Sequence, residues 1–261
     1  MPLFLKANSL FIWLADETGK FAQFASLFFR WISQKPVRWR NFIAQANAIG
    51  VDSAPIIFLV SFFTGAVFAL QTGYAFRLFN AETLVGSTVG LTLTRELAPV
   101  FTALMVIARM GSSMAAELGS MRVTEQIDAL ETMAINPYHY LVVPRVVASV
   151  VMMPLLTMLF NFVGFVGAYM VGVGLLNIPE GPFINRMEYY VDPKDIFGGL
   201  FKAVIFGFLL SIISCYQGYR TSGGAAGVGR STTRAVVIAS VTILIVDYFL
   251  TQWILEIVGV Q

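Results

Sequence analysis

The stretch SAPIIFLVSFFTGAVFALQTGYAF, residues 53–76, contains no charged residue. A bilayer hydrocarbon core is about 30 Å thick and needs about 20 consecutive apolar residues in a helix. This stretch therefore predicts a membrane-spanning helix. The same reading extends outward to residues 83–108, 146–178, 196–219 and 235–258. The whole chain of 261 residues is 57% hydrophobic and 12% charged, against about 25% charged in soluble domains. The expected fold is an all-α integral membrane protein with five transmembrane helices. The uncharged run at 146–178 is longer than one crossing requires, which predicts a tilted helix or one that continues past the membrane. The link before residues 196–219 is polar and has room for a short helix around residues 183–190.

Upstream of the first span, residues 1–50 form an N-terminal interfacial helical region, and residues 51–261 the transmembrane domain. In the former, Leu10, Leu14, Phe21, Phe24, Phe28 and Trp31 recur at helical spacing, while Asp16, Glu17, Lys20, Gln23 and Arg30 interrupt them. That is too polar to span, and it predicts an amphipathic helix lying in the membrane interface. Lys35, Arg38 and Arg40 follow as a basic anchor suited to anionic headgroups. Twelve Lys and Arg fall on the side of the N-terminus and three on the other. The positive-inside rule then puts the N-terminus in the cytoplasm, and five spans put the C-terminus in the periplasm. An odd span number without internal repeat argues against the two-halves construction of many secondary transporters.

The composition also excludes functions. One cysteine, Cys215, and one histidine, His139, offer no disulfide framework, no Cys- or His-based metal site and no Ser/His catalytic pair. The net charge of +2 carries no nucleic-acid signal. GAAGVGRS at residues 224–231 has the spacing of a phosphate-binding loop, but Arg230 stands where lysine is required and a membrane span, not a strand, precedes it. Nucleotide binding is rejected. Residues 220–234 read instead as a Gly/Ser/Thr loop, with Ser231 or Thr232 capping the fifth span.

Polar chemistry concentrates between residues 95 and 137. Residues 121–134 predict a short amphipathic helix between spans two and three. Val123, Ile127, Leu130 and Met133 or Ala134 share one face, and Arg122, Glu125, Asp128 and Glu131 lie elsewhere. Asn136-Pro137 ends it. Its bland reading is a solvated loop helix, and its functional reading a docking helix for a cytosolic partner. Within the spans, Arg95, Glu96, Lys202 and Asp247 are costly, about 2.5–3.5 kcal/mol each on insertion scales, and such groups usually face the interior or a cavity. Arg95 and Glu96 are adjacent and point about 100° apart on a helix. The expected partners are Asp247 for Arg95, and Lys202 or Arg234 for Glu96. Either the network fixes span packing, or it meets a ligand headgroup.

RELAPV at 95–100, AAELG at 115–119, MRVTEQIDALE at 121–131, Pro137, VVPR at 142–145 and GVGRSTTRAVV at 227–237 together resemble the MlaE family, the permease subunits of bacterial lipid-transporting ABC systems associated with MCE proteins. The resemblance covers roughly residues 40–258. It implies a homodimer in the bacterial inner membrane that moves phospholipid to or from a periplasmic MCE protein and so maintains outer-membrane lipid asymmetry. It implies a cytosolic ATPase pair docked on the segment around 119–135, with Arg122, Glu125, Ile127, Asp128, Leu130 and Glu131 as coupling residues. ATP then belongs to the partner, and this chain is neither an enzyme nor a cofactor carrier. It further implies a lipid cavity between the copies involving Phe76, Phe79, Arg95, Glu96, Leu97 and Lys202. Phe79 stands where a tyrosine is expected, which removes a polar handle. The competing reading is an ion-coupled secondary transporter working through Glu96, Lys202 and Asp247. An intramembrane enzyme and a passive scaffold rank below it.

Overall fold

The computed structural model describes the backbone of residues 2–32 and 39–258, and side chains from residue 16 to residue 256 within those limits. The described residues form helices and turns, with no strand among them. Five helices are long and apolar enough to cross a membrane: Trp39–Arg77, Glu82–Val123, Tyr138–Gly172, Pro193–Tyr219 and Gly224–Glu256. They give the chain five candidate membrane crossings.

Helix α1 spans Pro2–Ile32. Of its predicted apolar face, the side chains of Leu10 and Leu14 lie outside the described residues, as do Lys35 and Arg38. Phe24 and Phe28 are buried. They do not simply enter lipid: Phe24 packs on Tyr138, Tyr216 and Tyr219 with ring centroids 5.3, 5.5 and 5.9 Å away. Helix α1 is therefore fastened to the bundle by an aromatic cluster.

Helix α2 (Trp39–Gly50) and helix α3 (Ala54–Arg77) join through a 3-10 turn at Val51–Ser53. They form one rod, so the division expected at residue 50 falls inside a helix. The second rod runs through α4 (Val85–Thr92), a π turn at Leu93–Leu97, α5 (Ala98–Val106), a second π turn at Ile107–Gly111 and α6 (Ser112–Val123). The span expected to end at residue 108 thus continues to Val123. Hydropathy falls at Arg109, but the helix does not stop, because Met114, Ala115 and Leu118 remain buried. Small residues let α6 pack between its neighbours.

The short helix α7 covers Gln126–Thr132. The single helix expected at 121–134 is in fact broken: Glu125 has φ 59°, in the left-handed region, and separates α7 from α6. Helix α8 (Val143–Gly172) follows a π turn at Tyr138–Val142. It ends six residues before the apolar run does. Phe183 of α9 (Glu180–Tyr190) sits against Gly172, where an added Cβ would lie 2.7 Å from its ring, and residues 173–178 turn over into this contact. Helix α10 is Pro193–Tyr219 and α11 is Gly224–Val258. The loop expected at 220–234 shrinks to 220–223. Thr232 does not cap a helix; its hydroxyl donates to the Val228 carbonyl inside α11. The phosphate-loop look-alike is the first turns of that helix.

Helix α8 lies centrally, against α2, α3, α5 and α10. Its contact with α3 is backbone to backbone. A Cβ at Gly65 would lie 1.9 Å from the Gly164 carbonyl oxygen, and one at Gly167 would lie 2.2 Å from that of Phe62. Between membrane helices such close approach supplies the packing that hydrophobicity cannot. Helix α11 is different: 17% of its apolar window is buried, against 50% for α8 and α10. One end of the bundle carries α7 and the α10–α11 turn; the other carries α9.

Candidate functional site

The π turn at Leu93–Leu97 sets the site. A π turn inserts one residue into the helical ladder and is often functional. Here it directs both Arg95 and Glu96 toward α10. Glycine at position 199 permits this: a Cβ there would lie 2.1 Å from the Thr94 carbonyl oxygen, so any side chain would push α10 off the turn.

Arg95 does not pair with Asp247. Its Nε donates to Asp195 Oδ1 at 2.8 Å, and a second guanidinium nitrogen lies 2.8 Å from the same oxygen. Asp195 is buried and closes a capping box with Asp192 at the start of α10, accepting the Asp192 amide at 3.0 Å. Sequence reasoning placed Asp195 at the end of a polar connector and missed its role. The available signal was the D-P-K-D spacing at 192–195, which marks a helix start.

Glu96 meets Lys202, one of its two expected partners, with Lys202 Nζ 2.7 Å from Oε2. Lys202 is 2% exposed. Its ammonium also faces Asp247 Oδ1 at 3.1 Å, Thr251 Oγ1 at 2.6 Å and the Arg95 carbonyl at 3.1 Å. The Thr251 hydroxyl reaches the Asp247 carbonyl at 2.8 Å and stands 3.1 Å from Glu96 Oε2. Thr251 was also missed; it lies one helical turn after Asp247, on the same face. Lys202 thus ties three spans together. Its three donors serve four acceptors, so the cluster has alternative pairings without a buried orphan.

The cluster is not sealed. Arg95, Glu96, Lys194, Asp195, Lys202, Thr251 and the apolar Ile254 and Leu255 line a crevice. The crevice is narrow, about 20 Å³, and sets the paired charges of Arg95 and Lys202 and the exposed Lys194 beside an apolar wall. Phe76, Phe79 and Leu97 are not in that crevice. Phe79 is 77% exposed, and Phe76 and Leu97 are half-buried against the core. Arg234 is also elsewhere: it is exposed on α11 and lines a separate cavity with Glu17 and Tyr216.

At the opposite end, Ile127 of α7 is fully buried and Leu130 is half-buried, while Glu125, Asp128 and Glu131 are exposed. Met133, expected on the apolar face, is 69% exposed. Arg122 pairs with Asp128, and the Tyr219 hydroxyl donates to Glu131 Oε1 at 3.3 Å. The Tyr219 ring lies 5.1 Å from that of Tyr138, tilted by 34°, and so connects α7 to α1, α10 and the π turn that leads into α8. Between the two ends, Arg145 of α8 donates to Glu117 Oε2 of α6 at 3.0 Å; AAELG and VVPR supply the two halves of that pair.

The family model for Permease MlaE matches residues 42–253. A "Probable ABC transporter permease protein" of Rickettsia conorii is 44% identical over 96% of this chain and 98% of its own. One of the same description from a Synechocystis strain is 41% identical over 95% and 94%. The "Intermembrane phospholipid transport system permease protein MlaE" of Haemophilus influenzae is 40% identical over 80% of each chain. A match that runs through all five spans, the Lys202 cluster and α7 is not a local likeness: the chain belongs to the MlaE permease family.

Proposed function

We propose that this chain is the membrane-spanning subunit of an ATP-driven phospholipid transporter in a bacterial inner membrane. The observation that carries the reading is the Lys202 cluster, a set of ion pairs inside the spans that opens on an apolar-walled crevice with the exposed Lys194 at its edge. Membership of the MlaE permease family and the likeness to the Haemophilus phospholipid transport permease support it. A phospholipid headgroup settles at the mouth of the crevice, its phosphate drawn by the exposed Lys194 and the partly exposed Arg95 and its acyl chains lying along Ile254 and Leu255. The crevice faces the side occupied by α9, read as periplasmic, where an MCE protein exchanges lipid with it and so contributes to outer-membrane asymmetry.

A second copy completes the path. The α9-end half of α11 exposes Tyr248, Phe249 and Trp253, an aromatic face whose burial against a symmetry mate supplies the missing packing. The ATPase pair docks at α7 on the cytoplasmic side. Closure of that pair presses α7. Through Ile127, Tyr219 and the continuous α4–α6 rod, the motion reaches the π turn that holds Arg95 and Glu96. Rearranged pairing around Lys202 then changes what the crevice offers a headgroup.

The test is transfer of labelled phospholipid by the co-expressed transporter reconstituted in vesicles. Transport should require ATP, fail when Glu125, Asp128 and Glu131 are reversed together, and that variant should no longer co-purify its ATPase. Transport by this chain without any ATPase, abolished by Glu96→Gln, would instead favour the ion-coupled reading.

A further inference from the structure

The cavity of about 450 Å³ between α1, α10 and α11 lies away from the Lys202 crevice and has no part in the path above. Its walls are apolar, from Phe21 on α1, Leu209 and Ile213 on α10 and Ile238 on α11. Two charged side chains line it, Glu17 and Arg234. Glu17 is satisfied: Arg220 lies 2.7 Å from its Oε1 and the Tyr216 hydroxyl 3.0 Å from the same oxygen. Arg234, exposed at the cavity in the third turn of α11, makes no ion pair among the described residues.

We propose that this cavity is a second phospholipid site, on the α7 side of the membrane, with an anionic glycerophospholipid bound by its phosphate to Arg234 and by an acyl chain to Phe21, Leu209, Ile213 and Ile238. An unpaired guanidinium near the end of a span, beside an apolar cavity, favours a counter-charge that the membrane itself supplies. Among the components of a bilayer, the lipid phosphate is the anion that comes attached to hydrocarbon long enough to fill an apolar cavity beside it. The Glu17–Arg220–Tyr216 arrangement sharpens the choice. Because Arg220 neutralises Glu17, the cavity offers a net positive charge and favours an anionic over a zwitterionic lipid. Since α1 forms one wall and packs through Phe24 on Tyr219, occupancy also braces the element next to α7. The site stands without the transport proposal; only the suggestion that α7 feels its occupancy depends on it.

The experiment is photo-cross-linking of the full complex in nanodiscs of phosphatidylcholine. The discs are doped with phosphatidylglycerol, or in parallel with phosphatidylcholine, carrying a diazirine on the acyl chain, and the adducts are mapped by peptide mass spectrometry. Adducts should concentrate on Leu209, Ile213 and Ile238 with the anionic probe. They should fall about tenfold in Arg234→Gln, the scale of one lost charge-assisted hydrogen bond, and return in Arg234→Lys. Glu96→Gln, in the crevice, should leave them unchanged whether or not it stops transport. Labelling equal to that at Phe162, an exposed residue of α8, or labelling indifferent to Arg234→Gln, would show ordinary surrounding lipid and overturn the proposal. An Ile238→Cys disulfide between two copies would assign the cavity to the second copy and overturn it as well.

Discussion

Lys202 of α10 and Glu96 of the second span are paired at 2.7 Å with the lysine almost wholly enclosed. The pair holds together only because Asp247, Thr251 and a backbone carbonyl complete the shell of the ammonium. Removing one member of such a cluster leaves the others buried and unsatisfied, which typically costs about 3–5 kcal/mol. Lys202→Met should therefore lower the unfolding midpoint in detergent sharply. Lys202→Met combined with Glu96→Gln and Asp247→Asn should recover much of it, because no lone charge remains. A triple variant no more stable than the single one would show that the cluster is not an electrostatic unit.

The approach of Gly199 to Thr94 gives a steric prediction. Gly199→Ala places a Cβ where 2.1 Å separates it from a carbonyl oxygen, and overpacking of this kind costs about 1–3 kcal/mol. The variant should loosen the Arg95–Asp195 pair with no charge altered. Reduced thermal stability, together with lipid transfer impaired as in Arg95→Gln, is the expected result. Unchanged behaviour of both would mean that α10 shifts freely and that the contact does not position the π turn.

The break at Glu125 makes α7 an element of its own, set off from α6 by one left-handed residue. Glu125→Gly removes the penalty of a left-handed non-glycine residue, about 1 kcal/mol, and should be neutral or stabilising in thermal unfolding. Ile127→Asp buries a charge under α7 and should detach the helix, lowering ATPase co-purification as strongly as the triple charge reversal. Retention of the ATPase by Ile127→Asp would place the docking contact elsewhere.

Topology is directly measurable because Cys215 is buried and contributes little background. Glu188→Cys on α9 should react with an impermeant maleimide in intact spheroplasts. Glu125→Cys should react only after permeabilisation. The reverse pattern would invert the orientation drawn from the Lys and Arg counts.

The aromatic face of α11 predicts where two copies meet. Phe249→Cys should form an interchain disulfide under mild oxidation in membranes, while Val151→Cys on the exposed face of α8 should not. Equal cross-linking at both positions would indicate collision rather than a defined interface.

The five crossings were legible in the sequence because hydrophobic length is a local quantity, fixed by the thickness of the bilayer. So was the presence of a polar cluster, since charged residues inside apolar runs stand out one at a time. Its wiring was not legible. Arg95 pairs with Asp195, a residue outside every apolar run, and only the packing of α10 on the π turn brings the two together. Hydropathy also misplaced ends: it closed the second span at residue 108 and opened a loop at 220–234. Tertiary contacts, not hydropathy, carry α6 to Val123 and start α11 at Gly224: the two helices pack on each other although the first turns of α11 are rich in the poor helix formers Gly, Ser and Thr. What the sequence by itself determined is the number of spans, the chemistry available at membrane depth and the family. What only the tertiary structure decided is which charge meets which. That choice rests on backbone contacts at Gly199, Gly65 and Gly167, where the absence of a side chain says nothing until the facing helix is in place.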